Sequence, residues 1–242
     1  MLFRSEQDGD STSFVIPLRV PVDVVRQSAP ALAPLIKTDD TKTAPVTSDD
    51  QLMEVVKIDQ TTLSSRPGYQ EDFIGKGSLS VPLPKIPASL SSKIATYKTA
   101  PSKSELKYFN YSVVMNKDRR LAFFSAVNID GNLQQDIGKR TGDKWYFDPR
   151  IEEKHQIGNE FYKAQSVTEA DRTKSPFDRG HLVRRLDATW GKTVDIAKEH
   201  GNDSFHFTNC SPQFYTYNES KHLWAGLEDY TRNILLKIGK AH

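Results

Sequence analysis

Three short stretches of the sequence carry residues whose types and spacing could do chemistry: Asp178-Arg179-Gly180-His181, then Thr208-Asn209-Cys210-Ser211-Pro212-Gln213, then Asn218 ahead of Trp224-Ala225-Gly226-Leu227-Glu228. Hydrolysis of a phosphodiester needs a base for water, a cation for the charge that builds on phosphorus, and a group that stabilises the leaving oxygen. A His at a strand start and an Asn at a helix start, joined by a strand–loop–helix turn, could supply the base and the metal ligand. Each residue also has a plainer reading. His181 could be an ordinary core or surface histidine, and Asn218 could be only the N-cap of the helix that follows. Glu228 and Arg232 stand four apart and could form an exposed helix ion pair worth a few tenths of a kcal/mol. Arg184 and Arg185 fit phosphate contacts and a solvated face equally well. Spacing alone does not choose between these readings.

The elements that must position these residues lie in the second half of the chain. YSVVMN (111–116) and LAFFSAVNI (121–129) read as a hairpin, joined by Lys117-Asp118-Arg119-Arg120 and closed by Asp130-Gly131. A short helix is expected near Glu160. HLVRRLDA (181–188) and SFHFTN (204–209) each read as a short strand, with a helix over Val194 to His200 between them. Leu223, Trp224, Leu227, Ile234, Leu235 and Ile238 form one apolar stripe on a final helix, and Gly239 stands where its C-terminal cap belongs.

Upstream, residues 14–25 alternate apolar side chains as an edge strand, limited by Pro17 and Pro21. The expected organisation is a remnant strand of a preceding domain over 1–25, a linker over 26–50, an irregular wrapping segment over 51–107 and the chemistry-bearing domain over 108–242. The whole chain has 242 residues, 37% of them hydrophobic and 26% charged, an ordinary globular composition. A net charge of +2 excludes a polybasic binder. Arg172, Lys174, Arg179, Arg184, Arg185 and Lys192 cluster nonetheless, and such a patch can steer a polyanion or be a solvated face. The single cysteine, Cys210, excludes an internal disulfide and a four-cysteine zinc site. It reads as a small buried residue, and His206 and His222 read as structural. With no signal-like start and no long apolar run, an intracellular, cytoplasmic setting without a membrane is expected.

In combination, the DRGH tetrapeptide, the TNxxPQ run and an Asn ahead of a WxxLE helix resemble the DNA/RNA non-specific endonuclease family, from roughly Tyr108 to the end of the chain. The resemblance implies an α+β fold with a mixed or antiparallel sheet and a ββα-metal site. It also implies metal-dependent cleavage of DNA and RNA through backbone contacts, leaving 5′-phosphate ends. By position in the motifs, His181 is expected to be the general base. Asn218 is expected to be the ligand of a mostly hydrated magnesium ion, for which manganese can substitute. Glu228 would orient the ion's waters, Arg179 and Arg232 would contact phosphate, and Arg184 and Arg185 would extend the substrate contacts. Asp178, Gly180 and Asn209 are expected to shape the site. Two departures stand out. Asn218 lies six residues before Trp224, two more than in the best-known members, so the turn into the helix must be longer. Family domains also continue past this helix, so the chain is expected to be a C-terminally truncated part of a larger protein. That leaves a non-catalytic nucleic-acid-binding fragment as the alternative, and a homodimer as a further expectation.

Overall fold

A computed structural model describes residues 2–3, 14–15, 60–138, 144–164 and 176–241. The chain divides into two units, Met1–Phe3 with Ser13–Val55, and Arg4–Thr12 with Val56–His242. In the first, β1 (Leu2–Phe3) pairs antiparallel with β2 (Phe14–Val15). The rest of the expected edge strand, 16–25, and the expected linker, 26–50, lie outside the described residues.

The second unit is built on a three-stranded antiparallel sheet in the order β3 (Glu105–Lys107), β4 (Tyr111–Asn116), β5 (Leu121–Val127). Every residue of the central strand β4 is buried, whereas β5 at the edge is half-buried throughout. The hairpin has the expected bounds because Asn116 makes its turn: the side-chain Oδ1 accepts from the backbone N–H of Asp118 (3.0 Å) and Arg119 (3.1 Å). The main core gathers Leu106, Tyr108, Tyr111, Val113 and Met115 from this sheet with Ile151, Val183 and Ala188. Val183 and Ala188 belong to the segment that follows His181, so the core itself anchors that segment. Burying a valine there contributes about 1.5–3 kcal/mol.

Around the sheet lie α1 (Gln60–Ser64), α2 (Asn159–Ala164), α3 (Arg185–Ala188), α4 (Val194–Asn202), α5 (Tyr215–Asn218) and α6 (Trp224–Ile238). A second antiparallel ladder joins β7 (Phe177–His181) to β8 (Cys210–Phe214). After α6 the chain turns at Gly239, with φ of 81°, and β9 (Lys240–Ala241) pairs with β6 (Ile129–Asp130). Every ladder is antiparallel, and a parallel bridge joins Tyr146 to His206. This is an α+β fold. Two strands differ from expectation: 181–188 is the strand end plus helix α3, and 204–209 leads through a 3-10 turn at Phe207–Asn209 into β8. No helix among the described residues is long and apolar enough to cross a membrane.

Beneath the sheet is a buried polar network. Tyr108 donates to Asp148 Oδ2 at 2.7 Å, so its oxygen accepts from Thr208 Oγ1 at 2.5 Å. Arg150 grips both oxygens of Asp148, through Nε at 3.0 Å and Nη2 at 2.6 Å, and donates from Nη1 to the Lys107 carbonyl at 2.8 Å. Burial opposes ionisation of Asp148, yet the hydrogen bonds and charge of Arg150 hold its carboxyl below the usual carboxylate range. With the folded value depressed, this contribution is complete above the unfolded carboxylate pKa and disappears as pH falls through the folded one. Arg150→Met strands a buried carboxylate and is expected to cost about 3–5 kcal/mol by urea denaturation, whereas a loss under about 1 kcal/mol would mean that Asp148 does not depend on the pair.

Candidate active site

The first two motifs are the two strands of one ladder. Asp178 stands opposite Gln213, Gly180 opposite Ser211 and His181 opposite Cys210. Gly180 is small because the Gln213 side chain crosses it: a Cβ there would sit 2.2 Å from Gln213 Cδ. The end of β7 is fixed by Asn209, which is fully buried. Its Nδ2 donates to the carbonyls of Val183 (2.8 Å) and Ser204 (2.9 Å), and its Oδ1 accepts from the Val183 N–H at 2.9 Å.

Side chains alternate along β7. Phe177, Arg179 and His181 pack on an aromatic cluster that includes Phe161, Tyr162 and Trp145. The His181 ring lies between Trp145, with ring centroids 4.7 Å apart, and Phe205, at 5.1 Å and edge-on. His181 Nε2 is 3.4 Å from Ser204 Oγ. That hydroxyl spends its one proton on the Gly201 carbonyl at 2.7 Å and can only accept from the ring. A neutral imidazole that donates to this hydroxyl carries its proton on Nε2.

Asn218 Nδ2 donates to Asp178 Oδ2 at 3.0 Å, three residues before His181. A carboxylate oxygen only accepts, so this contact sets the amide and assigns its carbonyl oxygen to the remaining direction. Asn218 closes the short helix α5 and does not cap α6, whose N-cap is Leu223. The longer connection is a doubled-back turn in which Leu223 N–H (3.1 Å) and Gly226 N–H (3.3 Å) both point at the Ser220 carbonyl. Asn218 thus enters from one side of this turn and Glu228 from the other. β7, β8 and α6 form a ββα unit.

The arginines divide their duties. Arg179 donates to Asn159 Oδ1 at 2.5 Å and lies over the Tyr162 ring at 4.8 Å. Arg184 is paired with carboxylates: Asp187 at 2.9 Å, Asp229 at 3.6 Å and Glu228 at 4.0 Å. The cation beside Glu228 is thus Arg184, in place of the helix pair with Arg232. Arg185 is half-buried at the start of α3. Arg232, one helical turn beyond Glu228, lines a pocket of about 390 Å³ with Gln134, Gln135, Asp136, Ile137 and Leu186. Burial, aided by Asp187, pushes the Glu228 carboxyl up to about 7 against the pull of Arg184. Cys210 is buried and its thiol is pushed up to about 12 by burial, which disqualifies it as a nucleophile. His206 is fully buried, with Nδ1 donating to the Asp203 carbonyl at 2.7 Å, while His222 is exposed at the turn before α6.

Sequence reasoning assigned no role to Ser204, Trp145, Phe205 or Asn159, and no local pattern marks them. They reach the site from separate segments through the tertiary fold. Gly226 is a different omission: a Cβ there would lie 1.8 Å from the Lys221 carbonyl oxygen, a backbone atom that cannot step aside. Gly226→Ala is expected to push the Asn218 side of the turn away from α6 and lower turnover about a hundredfold, since a displacement near 1 Å costs that much in a preorganised site. Steady-state kinetics on a folded variant would check this, and unchanged kcat would show that the turn geometry is not needed.

The sequence pattern of the family described as DNA/RNA non-specific endonuclease matches residues 90–241. The chain is similar to the uncharacterized protein y4fB of Sinorhizobium fredii (strain NBRC 101917 / NGR234), 40% identical over 168 residues. That alignment takes in 68% of this chain and 24% of y4fB, so the chain spans about a quarter of that relative's length. Among solved structures it is similar to a chain of the EndoG/EndoGI complex, at 18% identity and a TM-score of 0.39, over 55% of this chain and 48% of that one. The family match covers well over half of the residues and includes both strands of the β7–β8 ladder and all of α6, so this chain belongs to the DNA/RNA non-specific endonuclease family.

Proposed function

We propose that this chain hydrolyses phosphodiester bonds of DNA and RNA without sequence preference, in a cation-dependent reaction that leaves 5′-phosphate ends. In this reading His181 is the general base and Asn218 the metal ligand. The observation that carries it is the Asp178–Asn218 hydrogen bond, because it commits an amide carbonyl oxygen to an outside partner. Such an oxygen suits a hard divalent cation, magnesium or manganese. Among the described residues no group of three or more His, Cys, Asp or Glu could hold a metal. The donor set therefore fits an ion that keeps most of its water, with Asn218 holding it and Glu228 accepting hydrogen bonds from the hydrating water. When bound, the cation supplies positive charge for the phosphate oxygens in the transition state.

The chain's own residues supply the rest. His181, with Nε2 facing Ser204, takes a proton from the attacking water. Trp145 and Phe205 keep the ring from turning. Arg179, oriented by Asn159 and Tyr162, and Arg232, at the mouth of its pocket, place positive charge against the phosphate, and Arg185 extends that contact. No base-reading motif is present, so recognition rests on the backbone and falls as salt rises.

The test is cleavage of supercoiled plasmid and single-stranded RNA with magnesium and with EDTA, beside His181→Ala and Asn218→Ala. His181→Ala is expected to lower kcat about 10²–10⁴-fold while leaving salt-sensitive binding in place. Wild-type turnover in that variant would remove His181 as the base. Binding without turnover in the wild type, with magnesium and manganese present, would make the chain a nucleic-acid-binding module.

A further inference from the structure

Arg184 sits in a stretch where an arginine is expected to meet phosphate, yet its surroundings are carboxylates. Its Nε and Nη2 meet Asp187 Oδ2 (3.2 Å) and Oδ1 (2.9 Å), the two-pronged geometry that only a guanidinium provides. Its third nitrogen, Nη1, turns to α6, 3.6 Å from Asp229 Oδ1 and 4.0 Å from Glu228 Oε2. The side chains of Arg184 and Asp187 are 14% and 15% exposed. Asp229 has a second cation in Lys221, whereas among the described residues Arg184 is the cation paired with Asp187 and with Glu228. One guanidinium facing three carboxylates leaves no net positive charge to offer a phosphate.

Resting on the nuclease reading above, we propose that Arg184 is a positioning residue, which fastens the segment after His181 to α6 and so holds Glu228 in register with the base. The backbone supports this role. Val183, next to Arg184, is buried in the main core and tied to Asn209, so the guanidinium projects from a fixed point. The far end of α6 is fixed separately, by the β6–β9 ladder and by the Gly131 N–H donating to the Gly239 carbonyl at 2.7 Å. The start of α6, which carries Glu228, follows a turn, and Arg184 is its cationic tie to the base-bearing segment. Without that guanidinium the start of α6 loses this tie and can move out.

The experiment compares wild type, Arg184→Lys, Glu228→Gln and the double variant, measuring kcat, KM and the salt dependence of DNA binding. Arg184→Lys keeps the charge and loses the fork. It is expected to lower kcat about ten- to a hundredfold with KM and salt slope unchanged, and to cost little further in the Glu228→Gln background. A raised KM, a salt slope reduced by about one and an intact kcat would make Arg184 a phosphate contact and overturn the proposal. An equal loss of kcat in both backgrounds would overturn it too, since Arg184 would then not act through Glu228. If the wild type cleaves nothing, the nuclease reading fails by itself. Urea denaturation of the same four proteins then still decides the tie: non-additive losses support it and additive ones overturn it.

Discussion

The side chain of Asn209 has no exposed surface, and three hydrogen bonds to backbone groups satisfy it. A buried amide stripped of its partners costs about 1–3 kcal/mol per unsatisfied group, so this arrangement is effectively all or none. Its partners are the two segments that matter most for the site. Val183 leads from His181 to Arg184, and Ser204 carries the hydroxyl that faces the His181 ring. The preceding residue, Thr208, donates into the buried Tyr108–Asp148–Arg150 network. One dipeptide, Thr208-Asn209, therefore joins the core of the sheet to the end of the strand that bears His181. The sheet supplies the rigidity and the amide transmits it.

Three of the chain's guanidiniums are committed inside the fold. Arg150 is locked to Asp148, Arg66 to Asp203 at 2.9 Å and Arg184 to Asp187. These guanidiniums fasten loops to one another, which their planar forks do well and lysines do poorly. A local count of basic residues thus overstates the charge presented to a polyanion.

The tetrapeptide, the TNxxPQ run and Asn218 were legible as a set, and so were the β4–β5 hairpin, the α4 helix and the glycine end of α6. The ladder that pairs the first two motifs was not. Gly180 and Pro212 lower strand propensity where β7 and β8 form, while the alternation of SFHFTN imitates a strand where the chain turns. Pairing was decided by Gln213 crossing Gly180 and by Asn209, both tertiary effects. The last helix shows the same limit. Its periodicity located α6, but Leu223 and Leu227 on its apolar stripe are 51% and 42% exposed, because the helix turns Glu228 toward Arg184 instead. Arg184 itself was ambiguous in sequence, since a phosphate contact and a carboxylate clamp use the same residue type. Only its neighbours separate the two.

The packing of Trp145 against His181 has an optical side. An imidazolium accepts an electron from an excited indole more readily than a neutral imidazole does, and the two rings are 4.7 Å apart. The emission of Trp145 is therefore coupled to the state of the His181 ring. Trp190 and Trp224 lie elsewhere, one tilted against Phe73 and the other stacked on Tyr217. A fold that clamps this imidazole between aromatic rings carries its own fluorescent reporter on the ring.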